Sequence, residues 1–260
     1  MTIVVACKWA PNPQDASVGP DGAVDWGRAK PAVSEYDPVA VEVGRRLADA
    51  TGSELVGVTV GGPDVASALA RKSLLSRGLD RLVVLADPAL AAAGTTATGL
   101  ALAALVRHVG EVDVVLAGDA SVDSGAQLVP AVLAGALGWP ALLGVGAVSA
   151  VDGGTASLTV ERATGTGSED LAVRGPVVLA VAADAVVPRV PGMKDILAAG
   201  KRPVEQLDLQ TLPVELPAGP DVVGTAPPAL RARRRQVVDA SDASAAAAEL
   251  VAALRADAVI

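Results

Sequence analysis

Short apolar segments alternate with longer Ala- and Leu-rich segments through the first half of the chain. This alternation limits the fold more than any other feature. Four of the apolar segments are predicted strands: Ile3–Ala6, Leu55–Val60, Arg81–Leu85 and Val112–Ala117. Each is a nearly continuous apolar run, which is typical of a parallel strand covered on both faces. The pattern predicts an open α/β sheet with right-handed crossovers.

The segments between these strands carry helical signals. They are an apolar repeat at Val39, Val43 and Leu47, a possible helix start at Pro63 with an end at Gly78, and a run from Thr95 to Val109 closed by Gly110. The four-residue repeat gives one apolar helix face. Proline suits a first helical turn and glycine a helix end, so three helices are predicted between the four strands.

The pattern changes after Pro140, where four short strand candidates follow one another: Ala141–Val148, Ser157–Arg162, Asp170–Val173 and Val177–Val181. Residues 151–154 form a turn signal, Val-Asp-Gly-Gly, and residues 157–173 are predicted to form a hairpin at the sheet edge. A Pro- and Gly-rich arm is predicted from Gln206 to Val237. Ser241 or Asp242 then caps a last helix. The predicted domains are therefore residues 1–205 and residues 206–260.

Composition excludes several classes of function. The chain carries 21 basic and 29 acidic residues, a net charge of -8, and only 2% aromatic residues. This balance argues against nucleic acid or an anionic membrane as the main partner. Cys7 and His108 are the only cysteine and the only histidine. They cannot build a zinc site, an iron–sulfur cluster or a Ser-His-Asp set, and the lone cysteine favours a reducing compartment.

Two apolar regions need a membrane or export check. Met1 to Cys7 lacks a basic segment before its apolar run, so it is interpreted as a first strand and not as a signal peptide. Gly125 to Val151 carries no charge, but prolines and glycines interrupt it. We interpret it as a buried helix followed by a buried strand, and expect no membrane insertion.

The ends of three predicted strands are candidate ligand sites, because open parallel sheets bind ligands beyond the carboxyl ends of their strands. These ends lie at Lys8, at Gly61 and at residues 118–125, Gly-Asp-Ala-Ser-Val-Asp-Ser-Gly, with a helix expected from about Ser124. Small residues and a helix N-terminus suit a phosphate. A simple N-cap at Asp123 or Ser124 explains the same residues. The glycine spacing matches neither a Walker A loop nor the dinucleotide fingerprint.

Several motifs, in order along the chain, resemble those of electron-transfer flavoprotein β subunits. They are Val160-Glu161-Arg162 with Gly167, Glu169, Leu171, Pro176 and Val178-Leu179-Ala180; Ala6 with Lys8; Ser34-Glu35-Tyr36-Asp37; Gly118 through Asp123 to Gln127; Pro188-Arg189-Val190-Pro191 to Leu197; and Pro227-Pro228 before the last helix. The likeness covers nearly the whole chain. It departs from the family pattern at Asp119 and Ala120, where a basic residue and a glutamine are usual, and at Ser34 and the Gly165-Thr166 pair.

The resemblance implies a Rossmann-like, adenine-nucleotide-hydrolase-like sheet with an edge hairpin and an extended C-terminal arm ending in a helix. It further implies an α subunit that holds most of the FAD, a structural AMP in this chain, a donor dehydrogenase, a quinone oxidoreductase or other acceptor, and a cytoplasmic location. The nucleotide is expected at Ala6, Lys8, Ser34, Tyr36, Asp37, Val60, Gly61, Gly118, Asp119, Ala120, Ser121, Val122, Asp123, Ser124, Gly125, Ala126, Gln127 and Leu128. Partner docking is expected at Arg189, Met193 and Ile196.

Two other function classes remain open from the residues. One is a stand-alone adenine-nucleotide-binding stress or signalling module on a similar sheet, although it would have little use for the long arm. The other is an adenylating or ATP-pyrophosphatase-type enzyme, which would be expected to carry a Ser-Gly-Gly phosphate loop after its first strand. The sequence contains no recognisable set of catalytic residues that would support an enzyme. The resemblance favours an electron carrier subunit over an enzyme.

Overall fold

The structure, a computed structural model, describes residues 2–219, 223–224, 229, 232 and 235–260. It divides into two compact units, residues 1–223 and 224–260. The helices are α1 (Asp37–Thr51), α2 (Ala68–Leu75), α3 (Thr95–Val109), α4 (Val129–Leu137), α5 (Met193–Ala199) and α6 (Ala243–Ala256). The strands are β1 (Thr2–Ala6), β2 (Trp9–Pro11), β3 (Ser17–Val18), β4 (Val24–Asp25), β5 (Pro31–Val33), β6 (Glu54–Gly61), β7 (Arg81–Ala86), β8 (Val112–Gly118), β9 (Ala141–Val151), β10 (Gly154–Thr164), β11 (Gly167–Arg174), β12 (Val177–Val181) and β13 (Val204–Leu207).

Nine of these strands form one sheet in the first unit, in the order β11-β10-β9-β12-β8-β1-β6-β7-β13. In the part of the sheet with the order β9-β12-β8-β1-β6-β7-β13, every neighbouring pair of strands is parallel. The two antiparallel pairs, β9–β10 and β10–β11, lie at one edge. The prediction of an open, mostly parallel sheet with an edge hairpin is therefore confirmed.

Strand order identifies a switch point between β1 and β8. From β1 the chain continues through β6 to β7 on one side, and it then returns to place β8 on the other side of β1. The carboxyl ends of β1, β6, β7 and β8 consequently lie along one edge of the sheet. A crevice at such a reversal is the usual ligand site of an open α/β sheet.

The core has one layer on each face of the sheet. Residues of α1 and α2 pack with one face, where Ile3, Leu55 and Leu74 are fully buried. Residues of α3 and α4 pack on the other face around Leu105 and Leu133. Burial of both faces explains why the strands are continuously apolar in sequence.

Three helix boundaries differ from the predicted ones. Pro63 begins a 3-10 turn, Pro63–Ala66, and α2 starts only at Ala68, with the Ser67 hydroxyl accepting the Ala70 N–H. The same helix ends at Leu75, so Gly78 lies beyond its end. The predicted start of α4 near Ser124 is wrong, since α4 begins at Val129.

The C-terminal region also departs in detail. Strand β13 continues to Leu207, two residues into the segment predicted as an extended arm. Asp242 caps α6 by accepting the Ser244 and Ala245 N–H groups. Pro227-Pro228 and most of the basic run 231–235 lie outside the described residues. Within the part of the chain that is described, no helix has the length and apolarity needed to cross a bilayer.

Candidate functional site

A cleft of about 470 Å³ lies in the first unit, beyond the carboxyl ends of β1, β6, β7 and β8. Its size falls in the range typical of small-molecule sites, roughly 300–1,000 Å³. Residues from the ends of β1 and β8 form one wall, and residues that follow β6 and β7 form the other. The sheet topology alone predicts a site at this place.

Most residues expected to bind a nucleotide line this cleft. They are Ala6, Lys8, Asp37, Val60, Gly61, Gly118, Asp119, Ala120, Ser121, Asp123, Ser124, Ala126, Gln127 and Leu128. Ser34 and Val122 line a smaller pocket of about 140 Å³, which shares Asp123 with the cleft. Ser34 is 5% exposed, and its Oγ has no hydrogen-bond partner. Tyr36 and Gly125 line neither space.

The part of the opposite wall that follows β7 was not predicted from the sequence. It contains Leu90, Ala91 and Ala93 after β7, followed by Gly94, Thr95 and Thr98 at the start of α3. The backbone N–H groups at this helix start receive no side-chain cap from Gly94. The strand-end argument, applied to the end of β7 at Ala86, points to this side of the cleft, but it does not identify Thr95 and Thr98, which lie further along the chain in α3.

The loop that follows β8 is held to β1 by a lysine. Lys8 Nζ lies 2.7 Å from each carboxylate oxygen of Asp123 and 3.3 Å from the Ser121 hydroxyl. That hydroxyl is in turn 2.9 Å from the Ser124 hydroxyl. Burial opposes ionisation of Asp123, but the bonds from Lys8 and Ser121 lower its pKa. Asp123 is therefore a loop anchor and not a helix N-cap.

Left-handed backbone in the same loop explains the late start of α4. Gly125 and Gln127 have φ of 58° and 54°. A helix cannot continue through such residues, and Gly125 is the one suited to this conformation. Pro130 in the first turn of α4 then lacks an N–H group for a ligand. Fewer helix N–H groups consequently face the cleft than the sequence pattern suggested.

Asp37, the first residue of α1, is buried in the floor of the cleft. Its Oδ2 accepts the Lys8 backbone N–H at 2.6 Å. Burial raises the pKa of Asp37 to about 7, although the Lys8 N–H bond and charge oppose the rise. Burial, with the Asp37 charge, also raises the pKa of Cys7, as expected for a thiol buried in the core.

Asp119 carries the least satisfied carboxylate of the cleft wall. Its Oδ1 is buried and has no hydrogen-bond partner. Burial raises the pKa of Asp119, the Asp184 carboxylate raises it further, and the backbone N–H groups of residues 119 and 120 oppose the rise. The residue is fixed in place because its own N–H donates to the Val181 carbonyl at 3.1 Å.

The model of the electron transfer flavoprotein domain matches residues 25–212, more than half of the 260-residue chain. The chain belongs to the electron transfer flavoprotein family. Members of this family are electron carriers associated with flavin, which agrees with the fold and with a ligand cleft at the switch point. The match also spans the edge hairpin and α5.

The cleft suits part of the nucleotide that electron transfer flavoproteins are expected to hold. Its volume and its small-residue walls, including Gly61, Gly94 and Gly118, admit a base and a ribose. The described lining residues include four carboxylates, at Asp37, Asp64, Asp119 and Asp123, and one cation, Lys8. An anionic phosphate does not fit this set, because carboxylates outnumber the cation four to one and like charges repel.

A separate surface contains the residues expected to dock a partner. The Glu42 carboxylate in α1 accepts hydrogen bonds from Arg189 Nε at 2.6 Å and from Arg46 Nε at 3.0 Å. The bond from Arg189 lowers the pKa of Glu42, although burial of the carboxylate opposes the lowering. This pair fixes the segment before α5. Met193, Ile196 and the neighbouring apolar side chains of this segment are exposed: Val187, Val190 and Leu197. Met193 is 75% exposed, so its side chain does not pack into the core.

Proposed function

We propose that this chain is the β-type subunit of a heterodimeric electron transfer flavoprotein. The observation that carries the proposal is the family match over residues 25–212, read with the β-type motif over residues 160–180. In this motif Arg162 Nε donates to Glu169 across the β10–β11 pair. Much of this motif thus lies in the edge hairpin formed by β10 and β11.

The FAD would be held mainly by the α subunit and would supply the redox chemistry when bound. This chain's residues would orient the partner, exclude water at the shared surface and dock other proteins. No group of three or more His, Cys, Asp or Glu suited to a metal occurs among the residues that the structure describes. The role proposed for the chain is that of a carrier subunit and not of an enzyme.

The exposed apolar segment from Val187 to Leu197 is proposed to dock a donor dehydrogenase. Asp195 Oδ2 accepts the Gly192 N–H at 2.8 Å and fixes the first turn of α5. Pro188 and Pro191 restrict the backbone before that turn. A segment fixed in this way loses little conformational freedom on binding. Met193 would be the anchor, with Ile196 and Arg189 beside it.

Co-expression with a candidate flavin-binding α subunit tests the proposal. The expected product is a yellow complex that elutes as one species and contains both chains and FAD. Electrons from a dehydrogenase should reduce it, and a quinone oxidoreductase or another acceptor should reoxidise it. A well-behaved colourless monomer that binds no α subunit would overturn the proposal. Fractionation of cells that express the tagged chain checks the cytoplasmic location.

One observation favours a second candidate, a stand-alone adenine-nucleotide-binding module. Among the residues that the structure describes, those lining the cleft lie between Ala6 and Pro130 and belong to the first unit, as a module that binds its nucleotide by itself would require. That candidate predicts a colourless monomer that binds adenine nucleotides. The co-expression experiment separates the two, since only the first candidate requires a second chain and flavin.

A further inference from the structure

We propose that the cleft selects an uncharged nucleoside of adenosine type and disfavours its phosphorylated forms, with Asp119 as the residue that sets this preference. The inference deepens the proposed function, and it rests on that function only for the choice of adenine as the base. It replaces the AMP expected from the resemblance by a ligand with the same base and ribose but without the phosphate.

The charge of the cleft is the first reason. Four aspartates and one lysine belong to the described lining, and none of the lining residues is an arginine. Two of the four aspartates, Asp119 and Asp123, follow the end of β8, and Asp37 begins α1 in the floor of the cleft. Like charges repel one another strongly in a partly desolvated site. A phosphate dianion in this cleft would therefore be bound less well than the same ligand without it.

The second reason is that Lys8 is already fully engaged. An ammonium group has three N–H donors. Three acceptors surround it, the two Asp123 oxygens at 2.7 Å and the Ser121 hydroxyl at 3.3 Å. A phosphate would have to displace these partners and leave the Asp123 carboxylate unpaired. Lys8 thus holds the loop in place and is not available to bind an anion.

The third reason is the unsatisfied acceptor on Asp119. Buried polar atoms without partners are rare, and a ligand that supplies a donor removes their cost. Asp119 lines the cleft, and its Oδ1 is such an atom, enclosed by the protein. A phosphate offers only acceptors at neutral pH, so it cannot bring a donor to this carboxylate, and it adds a further negative charge to the same cleft.

The remaining surface suits a neutral ligand. Val60, Val65 and Leu102 supply apolar surface, and the hydroxyl groups of Thr95 and Thr98 supply neutral hydrogen-bonding groups on the wall opposite Asp119. Ligand sites commonly combine apolar surface with a few polar groups that fix orientation. The cleft has this composition without any group that specifically recognises phosphate.

Titration calorimetry with adenosine and with AMP tests the inference, using the full chain in whatever complex it forms. At pH 8 and low salt, adenosine should bind about tenfold or more tightly than AMP, a difference of about 1.4 kcal/mol or more. Asp119→Asn removes the charge and keeps the shape of the side chain. It should strengthen AMP binding about fivefold or more and change adenosine binding by less than about twofold. Higher salt should narrow the gap in the unmodified chain.

Asp152→Asn is the matched control, because Asp152 is an exposed residue in the turn between β9 and β10. It should leave both affinities unchanged. The inference is overturned if AMP binds as tightly as adenosine, if neither ligand binds, or if Asp119→Asn shifts both affinities equally. A chain that forms a yellow complex but prefers AMP overturns this inference alone. A chain that prefers adenosine but binds no α subunit overturns the proposed function alone.

Discussion

Lys8 and Asp123 are 115 residues apart in the chain, yet the Lys8 ammonium lies 2.7 Å from both oxygens of the Asp123 carboxylate. The pair joins the end of β1 to the loop that follows β8, across the switch point of the sheet. Neither end of the pair is buried, since the side chains are 42% and 23% exposed. Its main effect is therefore expected on loop order and not on overall stability.

Replacement of Lys8 by methionine should loosen this loop. The global free energy of unfolding should fall by no more than about 1 kcal/mol, because partly exposed ion pairs contribute little. Amide exchange in residues 118–128 should become clearly faster, since the loop loses its tie to β1. Hydrogen exchange followed by mass spectrometry checks both. Lys201→Met, at an exposed lysine outside the cleft, is the control. Equal amide exchange in residues 118–128 of the two variants would show that Lys8 does not order the loop.

Asp37 should make stability depend on pH. Its folded pKa of about 7 exceeds the unfolded value near 3.8, so between these values the folded chain holds a proton that the unfolded chain has lost. The free energy of unfolding should consequently fall as pH rises from about 4 to about 7, by at most about 4 kcal/mol, and then level off. Asp37→Asn stays neutral and keeps an acceptor for the Lys8 N–H. It should remove this fall.

Urea unfolding at pH 4.5, 6 and 8 measures the effect of Asp37→Asn. The variant should be close to the unmodified chain at the lowest pH and more stable at the highest. Asp15→Asn, at an exposed aspartate in a short 3-10 turn, should follow the unmodified chain throughout. Parallel curves for all three proteins would show that Asp37 titrates normally.

Gly118 allows the end of β8 to approach the start of α1. A Cβ at this position would lie 2.6 Å from the Tyr36 Cβ and 2.9 Å from Asp37 Oδ1. Gly118→Ala should therefore displace α1 or the strand end and cost about 1–3 kcal/mol. Gly135→Ala in α4 is the matched change, since nothing lies within 4 Å of its Cβ and alanine is a better helix former. It should stabilise by about 0.5–1 kcal/mol, and thermal unfolding distinguishes the two signs.

Sequence predicts the framework of this molecule well because each strand is covered on both faces. A doubly covered strand must be apolar throughout, so Ile3–Ala6 and Val177–Val181 are visible without a structure. Trp9–Pro11, of which only Trp9 is buried, and the exposed Ser17–Val18 are short strands outside the nine-stranded sheet and carry no such signal. The start of α4 is missed because the sequence of a loop of small residues does not specify which residue adopts the left-handed conformation. In this loop Gln127 adopts it, although it is not a glycine.

Half of the candidate site is predictable because the strands themselves are recognisable in the sequence. Once the strands are located, their carboxyl ends are known, so Ala6, Gly61 and Gly118 are found from the sequence. Thr95 and Thr98 are missed since their place on the cleft depends on strand order, which puts α3 beside that edge. The engagement of Lys8 by Asp123 is also invisible in sequence, because it depends on the path of a loop 115 residues away.

Met193→Ala should separate docking from stability. Met193 is 75% exposed at the start of α5, so its truncation should change the free energy of unfolding by no more than about 0.5 kcal/mol. A thioether can fill an irregular apolar pocket on a partner, and a few such anchors usually dominate an interface. Loss of the anchor should slow electron transfer from the donor dehydrogenase by about tenfold, which corresponds to about 1.4 kcal/mol. Flavin content of the complex should not change.

Two further alanine variants complete the Met193 measurement. Leu69→Ala removes a side chain that is 64% exposed on α2, outside the docking segment, and should leave both transfer and stability unchanged. Leu133→Ala removes a fully buried side chain and should cost about 2–5 kcal/mol, which calibrates the unfolding assay. Stopped-flow reduction of the complex by the dehydrogenase gives the transfer rates. If the complex with Met193→Ala accepts electrons as fast as the complex with Leu69→Ala, the exposed face of α5 does not dock the donor. Loss of a residue that anchors the donor would weaken donor binding and slow the transfer.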